Sequence, residues 1–179
     1  QSAGFLDPLN LLILKVLPAT FAYHLRLSID LFLVMLFSYL VGREIGVSRL
    51  ASFLIGPAYI SAFHWRYLSN HVISNSLFLL PFLLFLFIPA VIKKKSFWPR
   101  AMLGGVGVGW AFLSGYAQVN IYALFLLFLF ILCYSFFLAR ESKADFFKKS
   151  ILFLIAISFV GFIVGSPQIL PSLVFTPET

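Results

Sequence analysis

The chain has 179 residues, of which 61% are hydrophobic and only 11% charged. An ordinary soluble domain carries about 25% charged residues, so this composition leaves too little polar surface to face water. The net charge of +7 does not point to nucleic acid, because the basic residues sit in short clusters between apolar runs and no basic groove or recognition motif accompanies them.

A helix needs about 20 apolar residues to cross the hydrocarbon core of a bilayer. Residues 5–17, FLDPLNLLILKVL, are too short and carry Asp7 and Lys15. They read as an interfacial or re-entrant helix that stops at Pro18. Six spans are then expected, at 19–42, 50–63, 72–92, 100–115, 119–139 and 150–166. The expected fold is all-α, a polytopic integral membrane helix bundle forming a single unit over residues 1–179. Both ends of the chain read as cut from something longer.

Orientation follows from Lys and Arg. The segments 43–49, 93–100 and 140–149 hold ten of the thirteen basic residues, and alternation across six spans puts all three on one side. That side is cytoplasmic by the positive-inside rule. Gly105 and Gly109 form a GxxxG pair suited to close helix approach. Pro57, Pro81 and Pro89 should kink or thin their helices.

The polar residues that can carry chemistry gather on the opposite, outward side. His64, Arg66, Asn70 and His71 follow the second span, and Gln118 follows the fourth. Each also has a plain reading as a solvated loop residue or a helix cap. Within the first span, Arg26 and Asp30 are four residues apart, so they share a helix face and can pair. A charge inside a spanning helix is costly and usually faces the bundle interior. The pair therefore reads equally as a functional element or as a self-neutralising structural one. The single cysteine, Cys133, lies in an apolar run and reads as a small buried hydrophobe. No Walker loop, HExxH or GxSxG motif is present.

The succession DPLNLLILKVLP, YLVGREIGVSRLASFLIGPAYISAF, NHVISNSLFLLPFLLF, LSGYAQVNIYALFL and GSPQILPSL resembles the bacterial YfhO-like membrane proteins. These belong to the GT-C superfamily of glycosyltransferases that use polyprenyl-phosphate-linked sugars. The resemblance implies sugar transfer at the outer face of the bacterial inner membrane, with membrane lipid and a polyprenyl-phosphate sugar donor as partners. A carboxylate in the first extracytoplasmic loop is the catalytic base of that superfamily. The resemblance carries the role to Asp7, the one carboxylate in residues 1–17. It also implies that His64, Arg66, Asn70, His71, Gln118, Arg26 and Asp30 meet the lipid phosphate or the substrate. No cofactor or metal site is evident in these residues, and the resemblance allows a divalent metal in the full-length protein. The competing expectation is a non-catalytic bundle, either transporter- or flippase-like or a structural subunit of a membrane complex.

Overall fold

A computed structural model describes residues 7–62, 76–114, 117–137 and 143–175. The described residues are helical apart from short connections. In chain order the helices are α1 (Pro8–Val16), α2 (Ala19–Glu44), α3 (Arg49–Ala62), α4 (Leu79–Phe87), α5 (Phe97–Leu113), α6 (Ala117–Phe137) and α7 (Lys143–Phe175). A π-helical turn, Ile88–Ile92, continues α4.

Each boundary has a local cause. Asp7 caps α1, its side chain accepting from the Leu9 and Asn10 amides, and Pro8 takes a first-turn position where no amide hydrogen is needed. Leu17 is extended, and Pro18 separates α1 from α2. α2 ends in a Schellman motif: the Val47 amide donates to the Gly42 carbonyl and the Gly46 amide to Arg43. Gly46 makes this possible with φ of +86°, a conformation strained for any residue with a side chain. Pro89 lies in the π turn, where the Lys93 amide reaches back to the Ile88 carbonyl.

α2 buries a single ridge: Ala22, Arg26, Asp30, Val34, Ser38 and Gly42, each four residues from the next. α3 folds back along it as an antiparallel hairpin. A Cβ on Gly42 would lie 2.7 Å from Ser52 Oγ, and one on Gly56 would lie 2.9 Å from the Met35 Cα. These positions must be free of side chains for the two backbones to approach so closely.

α5 and α7 interlock in parallel. Gly105 and Gly109 receive Val160 and Val164, while Gly161 and Gly165 receive Val108 and Phe112. The GxxxG pair on α5 thus meets a second one on α7, at 161 and 165. Gly107 admits the ring of Phe82 from α4 on another side of α5. Deeper in, Phe87 meets the edges of Phe130, Phe146 and Phe153 at 6.2, 6.4 and 5.4 Å between centroids. This aromatic cluster joins α4, α6 and α7.

Among the described residues three helices are long and apolar enough to cross a membrane: Ala19–Glu44, Gln118–Phe137 and Lys143–Leu170. The α4–π unit, Leu79–Ile92, is apolar but shorter, and α3 and α5 also fall short of a span's length. The sixth expected span proves long: helix begins at Lys143 and continues past the expected end at 166 through Pro167 and Gln168. Proline is tolerated there because neighbouring helices and side chains can satisfy the freed carbonyls. Phe32, Phe125, Phe136, Phe159 and Phe162 are among the large apolar side chains left exposed on α2, α6 and α7. A surface of that kind suits lipid.

Candidate functional site

At the end of the bundle where α2 and α6 begin and α5 ends, charged and polar side chains are sealed from solvent. Asp7, Arg26 and Asp30 are each 0–1% exposed. The Arg26 guanidinium lies between the two carboxylates. Its Nη2 is 3.0 Å from Asp7 Oδ2, and its Nε is 3.2 Å from Asp30 Oδ2. The expected Arg26–Asp30 pairing across one turn of α2 is present, and it faces the interior. The sequence did not foretell the third member.

Asp7 is held from several directions. Its Oδ1 accepts from the Leu9 amide at 2.9 Å, from the Asn10 amide at 3.4 Å and from Trp110 Nε1 at 3.1 Å. Its Oδ2 accepts from Ser114 Oγ at 2.9 Å, besides its ion pair with Arg26. The indole of Trp110 also lies beside the guanidinium, 6.0 Å from Arg26 Cζ to the ring centroid. Phe78 in turn stacks obliquely on Trp110 at 6.0 Å. α1, α2 and α5 are thus tied together through one carboxylate.

The electrostatics are demanding. Removing an ion from water costs several kcal/mol even after relaxation, and only good pairing and hydrogen bonding recover it. Asp7 and Asp30 share one guanidinium, and the Trp110, Ser114 and backbone donors around Asp7 help to disperse the charge on its carboxylate.

Asn120 is a further buried polar group at this end. It is 0% exposed and heads an interior stripe on α6 with Ala123, Leu127 and Ile131. Neither its amide nitrogen nor its carbonyl oxygen has a hydrogen-bond partner among the described residues. Gln118, by contrast, is exposed, and its amide nitrogen donates to Tyr122 Oη at 2.6 Å. The structure therefore does not bring Gln118 to the charged cluster. His64, Arg66, Asn70 and His71 lie outside the described residues. Cys133, expected to be buried, is exposed on α6, because α6 buries only its interior stripe. Trp110 and Ser114 carried no local signal, being more than a hundred residues from the carboxylate they serve.

Among the described residues no three His, Cys, Asp or Glu side chains gather where a metal ion could be held. Comparison of the chain with protein-family models, curated protein sequences and solved structures finds no match.

What the arrangement can do follows from its donors. Arg26, Trp110 and Ser114 converge on one anionic position from α2 and α5. In this state Asp7 fills that position. A carboxylate that already receives four hydrogen bonds and an ion pair has little lone-pair capacity left to take a substrate proton.

Proposed function

We propose that this chain is part of a six-span membrane glycosyltransferase of the GT-C type, transferring sugar from a polyprenyl-phosphate-linked donor at the non-cytoplasmic face of a bacterial inner membrane. The observation that carries the reading is the Asp7–Arg26–Asp30 cluster, buried in a bundle with apolar outer faces. Buried charge in a membrane helix is expensive and generally kept for function. The distribution of Lys and Arg supports an orientation in which this end faces away from the cytoplasm. Three long apolar helices support membrane insertion, and the shorter α3, α4–π and α5 complete the six in this reading.

The lipid-phosphate donor presents its phosphate at the level of the outward loops. Arg66, His64 and His71 would neutralise charge on the leaving phosphate there, with Asn70 and Gln118 contacting the substrate. Asp7 is the candidate base. It can act only after exchanging some of its present donors for the acceptor hydroxyl.

The test is sugar transfer from a polyprenyl-phosphate donor by the full-length protein in liposomes. Transfer that falls at least tenfold in Arg66→Ala and His71→Ala is the expected result. Transfer at the parent rate in both variants would reduce these residues to loop residues.

A second reading has an observation of its own. The near-saturated Asp7 carboxylate is what a structural clasp requires, which favours a non-catalytic membrane bundle. No transfer by the parent from any donor tried would favour it.

A further inference from the structure

The cradle around Asp7 is made mostly by parts of the bundle other than the helix that Asp7 caps. Arg26 comes from α2, Trp110 from α5 and Ser114 from the residue that ends α5. Arg26 and Ser114 are almost wholly buried, so their donors are fixed and desolvated. Such a set suits an anion, and Asp30 engages the Nε edge of the guanidinium, leaving Nη2 directed at the position Asp7 fills.

The helix carrying Asp7 is otherwise loosely held. In α1 only Ile13 is buried, while Leu11, Leu12, Leu14 and Val16 are between 52% and 75% exposed. α1 joins α2 through Leu17 and Pro18 alone, the first of them extended. Within the bundle α1 is held by the Asp7 carboxylate in its cradle and by the buried Ile13, while its other apolar residues face outward. Asn120 adds a second, independent observation. It faces the interior at the same end, wholly buried, with donor and acceptor both unused among the described residues. An unpaired amide in such a place costs free energy unless something polar comes to meet it.

We propose that Arg26, Trp110 and Ser114 form an anion site for the phosphate of a membrane lipid, and that the chain's own Asp7 closes it as a displaceable latch. The phosphate takes the place of the carboxylate, gaining the guanidinium, indole and hydroxyl donors, and α1 swings away about Leu17–Pro18. Asn120 then hydrogen-bonds an oxygen of the entering headgroup. A phosphate suits the site because it offers several acceptor oxygens to donors arriving from different helices. The choice of a lipid phosphate, rather than another anion, rests on the reading of a polyprenyl-phosphate-dependent protein given above.

Trp110 is a built-in reporter. With the other two tryptophans replaced (Trp65→Phe, Trp98→Phe), the full chain in nanodiscs is titrated with polyprenyl phosphate. Parallel arms use the uncharged polyprenol and free inorganic phosphate. Trp110 emission should change with polyprenyl phosphate and not with polyprenol. A response to inorganic phosphate alone would assign the site to a soluble anion and overturn the lipid assignment. Asp7→Asn removes the competing charge while keeping the shape of the cap, and should tighten polyprenyl-phosphate binding at least tenfold. Arg26→Gln in that background should abolish it. Unchanged or weaker binding in Asp7→Asn overturns the latch.

A second measurement leaves Asp7 in place and so does not depend on that variant folding. A nitroxide at Leu12→Cys, in a Cys133→Ser background, should gain mobility when polyprenyl phosphate is added. An unchanged spectrum at saturating lipid also overturns the proposal. The two readings fail separately. Sugar transfer by the parent, with no tighter binding in Asp7→Asn, refutes the latch alone, whereas tighter binding in Asp7→Asn with no transfer by the parent refutes the glycosyltransferase reading alone.

Discussion

Replacing Gly105 by alanine inserts one methyl group into the α5–α7 contact. That methyl would lie 2.4 Å from Val160 Cβ, 2.7 Å from its Cγ1 and 3.2 Å from the Ile157 carbonyl oxygen. Carbon atoms in good contact sit about 3.5–4.0 Å apart, so the helices must separate locally by roughly 1–1.5 Å. Rotating Val160 gives no relief, because the nearest atom is its Cβ, which is fixed by the backbone. Separation also loosens the neighbouring contacts of Gly109 with Val164 and of Gly161 with Val108. Overpacking of a tight core costs about 1–3 kcal/mol, and the backbone-fixed clash puts Gly105→Ala toward the upper part of that range. The double variant Gly105→Ala/Val160→Gly swaps the side chain at 160 for a methyl at 105; with the Val160 side chain gone, Gly105→Ala should cost less than half of what it costs in the parent. The assay is unfolding in mixed detergent micelles followed by far-ultraviolet circular dichroism. If Gly105→Ala unfolds at the parent midpoint, or if it costs as much in the Val160→Gly background, the interlocked packing is not what holds these helices.

Two further outcomes follow from the same structure. Arg26→Ala leaves the Asp7 and Asp30 carboxylates buried without their shared cation and should cost about 3–5 kcal/mol of stability; Arg26→Lys should recover only part of this, since an ammonium cannot present the planar fork that reaches both. Both are read from the same unfolding curves, and an Arg26→Ala variant as stable as the parent would show that the cluster does not hold α1 to α2. For orientation, a cysteine at Ser96 should be protected from impermeant thiol reagents in intact cells and one at Ser69 should be labelled. The reverse pattern would invert the bundle.

The helices were legible because apolar length and charge clusters act locally. α2 and α6 begin and end within a few residues of the expected spans. The seventh helix runs past both expected ends, from Lys143 rather than 150 and on through Ser166, Pro167 and Gln168, because polar residues and a proline do not by themselves end a helix whose apolar faces are packed or set in lipid. The Arg26–Asp30 pair was readable from its spacing, since helix geometry alone brings residues four apart together. Asp7, Trp110 and Ser114 could not be joined to it in advance. Their meeting is set by how α1 and α5 pack on α2, and no local pattern encodes that. Asn120 and Gln118 lie two residues apart at the start of α6, and it is Asn120 that turns inward while Gln118 faces out.

The interlocked glycines also constrain the order in which the chain can assemble. Gly105 and Gly109 pair in rising order with Val160 and Val164, so α5 and α7 run in the same direction and α6 must return between them. The α2–α3 hairpin needs only a short turn and can close as soon as its two helices exist. The α5–α7 seam has to wait until α6 has been made and laid back across the bundle, a larger loop to close before any contact rewards it. During that wait the bare glycine face of α5 is open to other helices that offer small side chains. An insertion machinery that shelters α5 until α7 emerges would protect the step at which this protein is most exposed to wrong pairing.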